Sequence, residues 1–153
     1  MNITFYNSQQ ALDVSYVFVQ ELAHSVFKTL EQVLPSELII HLVDKETITK
    51  LHADFFNDPT PTDCISFPLD DLDAHDDTGY ILLGEIFVCP EVAIEYACLN
   101  DKKPIEETAL YIIHGILHLL GYDDIEEKDR LKMRSLEDLC MNKYFSIAEK
   151  QVL

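Results

Sequence analysis

Positive charge is scarce in this chain of 153 residues: 11 lysines and arginines stand against 28 aspartates and glutamates, a formal net charge of −17. Broad, nonspecific nucleic-acid binding uses lysine and arginine to displace counterions, so this balance excludes it, and no DNA partner is expected. No apolar run approaches the roughly 20 residues that span a bilayer, which excludes a membrane helix. The start, Met1-Asn2-Ile3-Thr4-Phe5-Tyr6, has neither a basic region nor a long apolar core, so no signal peptide is read there. The four cysteines, Cys64, Cys89, Cys98 and Cys140, form no CxxC pair. Reduced, packed thiols and a cytoplasmic location are expected. There is no internal repeat, low-complexity segment or linker. With 48% hydrophobic residues, the chain reads as one domain over 1–153.

What is present alternates between strand and helix patterns. Residues 2–6 alternate like a strand. Asp13 is the expected cap of a long helix running to about Leu34, with Val14, Val17, Phe18, Leu22, Val26, Leu30 and Val33 at helical spacing and Pro35 as the stop. Residues 38–43 read as a strand, 46–56 as a helix and 57–61 as a loop. Residues 64–67 read as a short strand and 68–79 as an acidic, solvated loop. Residues 80–88 are the best strand, interrupted by Gly84, which suits either a bulge or a close backbone approach. Pro90 opens a helix to about Leu99, a second helix spans about 105–120, and a last one runs from near Ile125 to about Ala148. The pattern predicts an α+β fold: a small mixed sheet of about four strands packed with helices.

Residues 114–124 read His-Gly-Ile-Leu-His-Leu-Leu-Gly-Tyr-Asp-Asp. His114 and His118 share one face of a helix that is apolar almost all round, so the helix is expected to be buried. Gly121 can leave the helix in the left-handed conformation and turn the chain so that Asp124 returns toward the imidazoles. Two buried imidazoles without partners would be costly. Two nitrogens and one carboxylate oxygen suit a borderline metal, with one coordination position left for chemistry. Cys64, Cys89 and Cys98 are further possible ligands, but their apolar surroundings favour packing.

His114, His118, Gly121 and Asp124 match the extended zinc-peptidase spacing, with one exception. Gly115 stands where the peptidase has its general base, and glycine can neither take a proton nor orient water. Peptidase chemistry by that route is not expected.

The tract also resembles the signature of the YbeY family of bacterial ribosomal-RNA maturation endoribonucleases. Pro61-Thr62-Asp63-Cys64-Ile65-Ser66-Phe67-Pro68 resembles that family's Pro-Thr-Asp-Val-Leu-Ser-Phe-Pro, Gly84-Glu85-Ile86 its Gly-Asp-Ile strand, and Met133 to Glu137 its Met…Glu pattern. The likeness runs from about residue 38 to 140. It implies a zincin-like fold around a central metal-binding helix, one bound Zn²⁺, and cleavage of single-stranded RNA in ribosome assembly and quality control. It also implies metal ligation by His114, His118 and Asp124.

Two departures stand out. The family usually has histidine where this chain has Asp124. A carboxylate makes the site more negative and favours harder ions such as Mn²⁺ relative to zinc. The family's basic residue falls on Phe56, whose ring cannot stabilise phosphoryl charge, so that role is lost or moved.

The general base is left open between a second water, Asp123 and Asp63. Thr62 and Asp63 read equally as a turn before a strand or as part of a cleft. Arg130 and Arg134, four apart on the last helix, are candidate substrate contacts, although pairing with Glu126, Glu127, Glu137 and Asp138 also accounts for them. Lys102-Lys103 is a second basic candidate. The leading expectation is a metal-dependent endoribonuclease acting on ribosomal RNA, with a ribosomal protein or an assembly GTPase as possible partner. The alternatives are a noncatalytic ribosome-assembly factor with a structural metal and, further off, a metallopeptidase.

Overall fold

The computed structural model describes residues 1–73 and 77–152, with side chains as far as Ser146. Asp76, part of the acidic run, lies outside the described residues. Four strands and five helices follow in the order β1 (Asn2–Asn7), α1 (Tyr16–Thr29), β2 (Glu37–Leu42), α2 (Lys45–Phe56), β3 (Cys64–Pro68), β4 (Leu82–Val88), α3 (Pro90–Leu99), α4 (Pro104–Leu119) and α5 (Glu127–Val152). The strands form one sheet in the order β1-β2-β4-β3. β1, β2 and β4 run parallel, and β3 pairs antiparallel with β4. The mixed α+β architecture expected from the sequence is therefore present.

Alternation decides which sheet face is buried. Leu38, Ile40 and Leu42 of β2 and Ile86 and Val88 of β4 point to one side and are fully buried. They meet Leu22, Val26 and Phe27 of α1 and Ile112, Ile113, Ile116 and Leu117 of α4 in the main core. α2 carries Ile48 into a smaller cluster with Val43, Ile65 and Cys89.

Several boundaries differ from expectation. α1 is capped by Ser15, whose Oγ accepts from Phe18 N at 3.1 Å, rather than by Asp13. It ends at Thr29, well before Leu34, because Glu31 takes a left-handed φ of 54° and Gln32 N bonds back to Phe27 O. α2 starts earlier, on Asp44, whose carboxylate accepts from Thr47 N. β4 starts at Leu82 rather than Tyr80, since Ile81 N is taken by the Ser36 side chain. α5 begins at Glu127 and runs to Val152.

Two glycines set how close α4 comes to the sheet. A Cβ on Gly115 would sit 2.7 Å from Ile86 Cγ2 and 3.0 Å from Cys64 Sγ. A Cβ on Gly84 would sit 2.6 Å from both Phe67 O and Leu119 Cδ2. Gly84 also lies where the β2–β4 register shifts, so the bulge and the close approach expected as alternatives occur together. Ser66 Oγ donates to Gly115 O at 3.2 Å across the same contact. Among the described residues, no helix is long and apolar enough to cross a membrane.

Candidate metal centre and cleft

α4 delivers the two imidazoles, and its end delivers the carboxylate. After Leu119 the helix closes in a double hydrogen bond, Gly121 N to His118 O and Tyr122 N to Leu117 O, both 3.0 Å. This closure needs a left-handed residue, and Gly121 has φ 97°. Asp123 Oδ1 then accepts from Asp124 N at 2.7 Å and Ile125 N at 3.3 Å, fixing the turn that aims Asp124 inward. Of the two acids expected at this turn, Asp124 faces the histidines while Asp123 is exposed and shapes the loop.

Asp124 Oδ2 lies 3.5 Å from His114 Nε2 and 3.4 Å from His118 Nε2, and the two Nε2 atoms are 3.0 Å apart. Ligands held about 2.1 Å from a tetrahedral centre lie about 3.4 Å from one another, so the donor set and its spacing fit one such ion. These three residues form a group that could hold a metal ion. Cys64 and Cys89 lie outside this group, and burial pushes both thiols up, with the charge of Asp63 adding to the effect at Cys64. Cys98 is exposed and lies outside the group.

Glu137 of α5 completes the arrangement: its Oε1 accepts from His114 Nδ1 at 2.6 Å. Burial disfavours charge on His114. The hydrogen bond and charge of Glu137, with Asp63 and Asp124, outweigh it and hold the imidazole above its ordinary value. With Nδ1 donating, the Nε2 lone pair is directed at His118 and Asp124.

The triad opens into a cleft of about 390 Å³ walled by His52, Phe56, Thr62, Asp63, Ser66 and Pro68, among others. Asp63 Oδ1 accepts from Cys64 N at 2.7 Å and from Thr62 Oγ1 at 3.3 Å, so the Thr-Asp pair is both the turn that opens β3 and a wall of the cleft. A second cavity of about 150 Å³ shares His114 and Asp124 and is lined also by Arg130, Met133, Arg134 and Glu137. Both arginines singled out from the sequence thus stand beside the triad. Arg130 Nη1 donates to Ile125 O at 2.7 Å, tying it to the loop that carries Asp124.

Sequence reading missed two features. His52 walls the cleft and donates from Nδ1 to Thr60 O at 2.7 Å. Glu107 and Tyr111 are buried on the α4 face that carries His114 and His118, at the same helical spacing, which was the available signal. Burial is the main cause that raises both groups, and Asp63 adds to each.

A family model described as Endoribonuclease YbeY matches residues 4–145, a longer stretch than the motifs alone suggested. A protein of Protochlamydia amoebophila named Endoribonuclease YbeY is 50% identical over 131 residues, covering 86% of this chain and 85% of its own length. One of the same name from Clavibacter sepedonicus is 38% identical over 134 residues, covering 86% and 88%. The solution structure of TM1509 from Thermotoga maritima superposes with a TM-score of 0.67 over 98% of this chain and 93% of that one, at 23% identity, and so shares the fold. The strand order, the glycine-tight helix carrying two histidines, and these relatives agree: the chain belongs to the endoribonuclease YbeY family.

Proposed function

We propose that this chain is a metal-dependent endoribonuclease that cuts single-stranded RNA during ribosomal-RNA maturation, at the 16S 3′ end, and in ribosome quality control. The observation that carries the reading is the convergence of His114, His118 and Asp124 at the mouth of the cleft. These three would hold one divalent ion, Zn²⁺ in the first instance, with Mn²⁺ favoured more than at an all-histidine site because Asp124 contributes an oxygen. When bound, such an ion supplies Lewis acidity toward a phosphoryl oxygen and toward water.

The protein's own groups do the rest. Glu137 fixes the tautomer of His114. Asp63, in the cleft wall and close enough to raise His114, is the better placed of the two candidate bases. Asp123 Oδ1 is engaged by two backbone N–H groups. Arg130 and Arg134 supply positive charge beside the triad for a phosphate of the strand, and Thr62 offers a hydroxyl in the cleft. A ribosomal protein or an assembly GTPase is the proposed partner that brings so acidic a chain to RNA.

A metallopeptidase is disfavoured by packing as well as chemistry, since position 115 has no room for a side chain. The test is purification without added metal, elemental analysis, and cleavage of single-stranded RNA by wild type and His114→Ala. One equivalent of metal and cutting are expected for wild type, and loss of both for the variant. A metal-free wild type with no cutting would refute the reading.

A further inference from the structure

The cleft mixes polar and apolar walls, with His52, Asp63 and the triad beside Ile65, Pro68 and one exposed aromatic ring. Phe56 is 55% exposed and its neighbour Phe55 63% exposed, at the last turn of α2. Two exposed phenylalanines in sequence are a cost to a soluble surface unless something covers them. They are also not loose. Phe56 lies over Phe67 at 6.4 Å with the rings inclined 32°, and Phe55 meets the same ring at 5.0 Å. Phe67 stands edge-on to Phe87 at 5.8 Å, and Phe87 is stacked on His41 at 4.1 Å, 5° from parallel. His52 braces Phe56 from within α2 at 5.9 Å. The left-handed Asn57, with Asn57 N bonded to Ala53 O and Asp58 N to His52 O, ends the helix immediately after the ring and fixes its direction.

A pre-positioned aromatic face in a nuclease cleft has a natural chemical complement. Among the described residues, no lysine or arginine lines this cleft; the two arginines near the triad line the smaller cavity that shares His114 and Asp124 with it. The two arginines and the Phe56 wall therefore line different hollows that share His114 and Asp124. A strand whose phosphate lies against Arg130 and Arg134 and which continues past His114 and Asp124 enters a cleft that offers an exposed ring and no lysine or arginine. The geometry points to Phe56, supported by Phe55 and Phe67, as a stacking platform for one nucleobase of single-stranded RNA next to the cleaved bond. This rests on the endoribonuclease reading and adds to it a subsite for the base. The occupant is a base and not a protein side chain because the ring is continuous with the triad's own cleft. Stacking also tolerates any base and works without the positive charge this chain lacks. A ring already held by Phe67 and His52 loses little freedom on binding.

The test uses the metal-loaded chain, a single-stranded RNA, and copies of it bearing an abasic residue at each position around the cut. Phe56→Ala should raise KM about 5- to 150-fold, the range found when a stacking ring is removed, with a smaller change in kcat. Phe56→Leu should behave like the alanine variant, while Phe56→Tyr and Phe56→Trp should stay near wild type and confirm that the helix end folds. One abasic position should raise the wild-type KM by the same factor and add nothing to Phe56→Ala. 2-Aminopurine at that position should be quenched on rapid mixing with wild type and not with Phe56→Ala. If wild type cuts RNA and Phe56→Ala cuts it with the same KM, or if the abasic penalty persists in the variant, the platform is overturned while the nuclease reading stands. If wild type neither binds nor cuts any RNA, both fall.

Discussion

Glu137 on α5 and His114 on α4 are joined by a 2.6 Å hydrogen bond from Nδ1 to Oε1. The two residues are 23 apart in sequence, and the contact ties the last helix to the face that carries the candidate ligands. Orienting carboxylates of this kind fix which ring nitrogen is left to bind a metal. Glu137→Gln and Glu137→Ala should each weaken metal binding by about 10- to 100-fold, read by competition with a chelator. Unchanged affinity in Glu137→Ala would remove the carboxylate from the metal centre.

Asp124 can be separated from its exposed neighbour. Asp124→Ala should lose metal on purification, and Asp124→His should keep it with a shift from Mn²⁺ toward Zn²⁺. Asp123→Ala should lose less, since Asp123 acts on the loop through backbone N–H groups. Elemental analysis of the three proteins decides the matter; equal metal content in Asp124→Ala and wild type would rule the carboxylate out as a ligand.

Position 115 tests packing. Gly115→Ala places a methyl against Ile86 and Cys64 and should cost about 1–3 kcal/mol in denaturant unfolding. Gly115→Glu should fold poorly and show no cleavage of casein. A stable Gly115→Glu protein that cuts casein in a chelator-sensitive way would reopen the peptidase reading.

Glu107 should set part of the pH dependence of stability. Burial raises its carboxyl above the ordinary value, with Asp63 and Glu137 adding to the effect against the Tyr111 hydrogen bond and Lys102. The folded chain therefore holds this proton to higher pH than the unfolded chain does. Its contribution is fully present below the ordinary glutamate value and is lost as pH rises through the raised one. Glu107→Gln should lose less stability than wild type between acidic and neutral pH, measured as denaturation midpoints. An identical pH profile in the two proteins would contradict this.

The helix and its pair of facing histidines were legible because His114, His118 and Gly121 combine a local period with a local stop, and both act within a few residues. The strands were legible from alternation in Leu38–Leu42 and Leu82–Val88. The end of α1 was not: Glu31 takes a left-handed conformation that its side chain does not advertise, and Pro35 was the more visible stop. Glu137 could be matched as part of a motif, but its bond to His114 depends on how α5 packs on α4. The four-residue spacing of Arg130 and Arg134 was legible, but their place beside the triad depends on the same docking.

His114 and Asp124 are walls of two hollows at once, the cleft and the smaller arginine-lined space. Neither hollow is enclosed, so a polymer laid over these two side chains need not present a terminus to reach them.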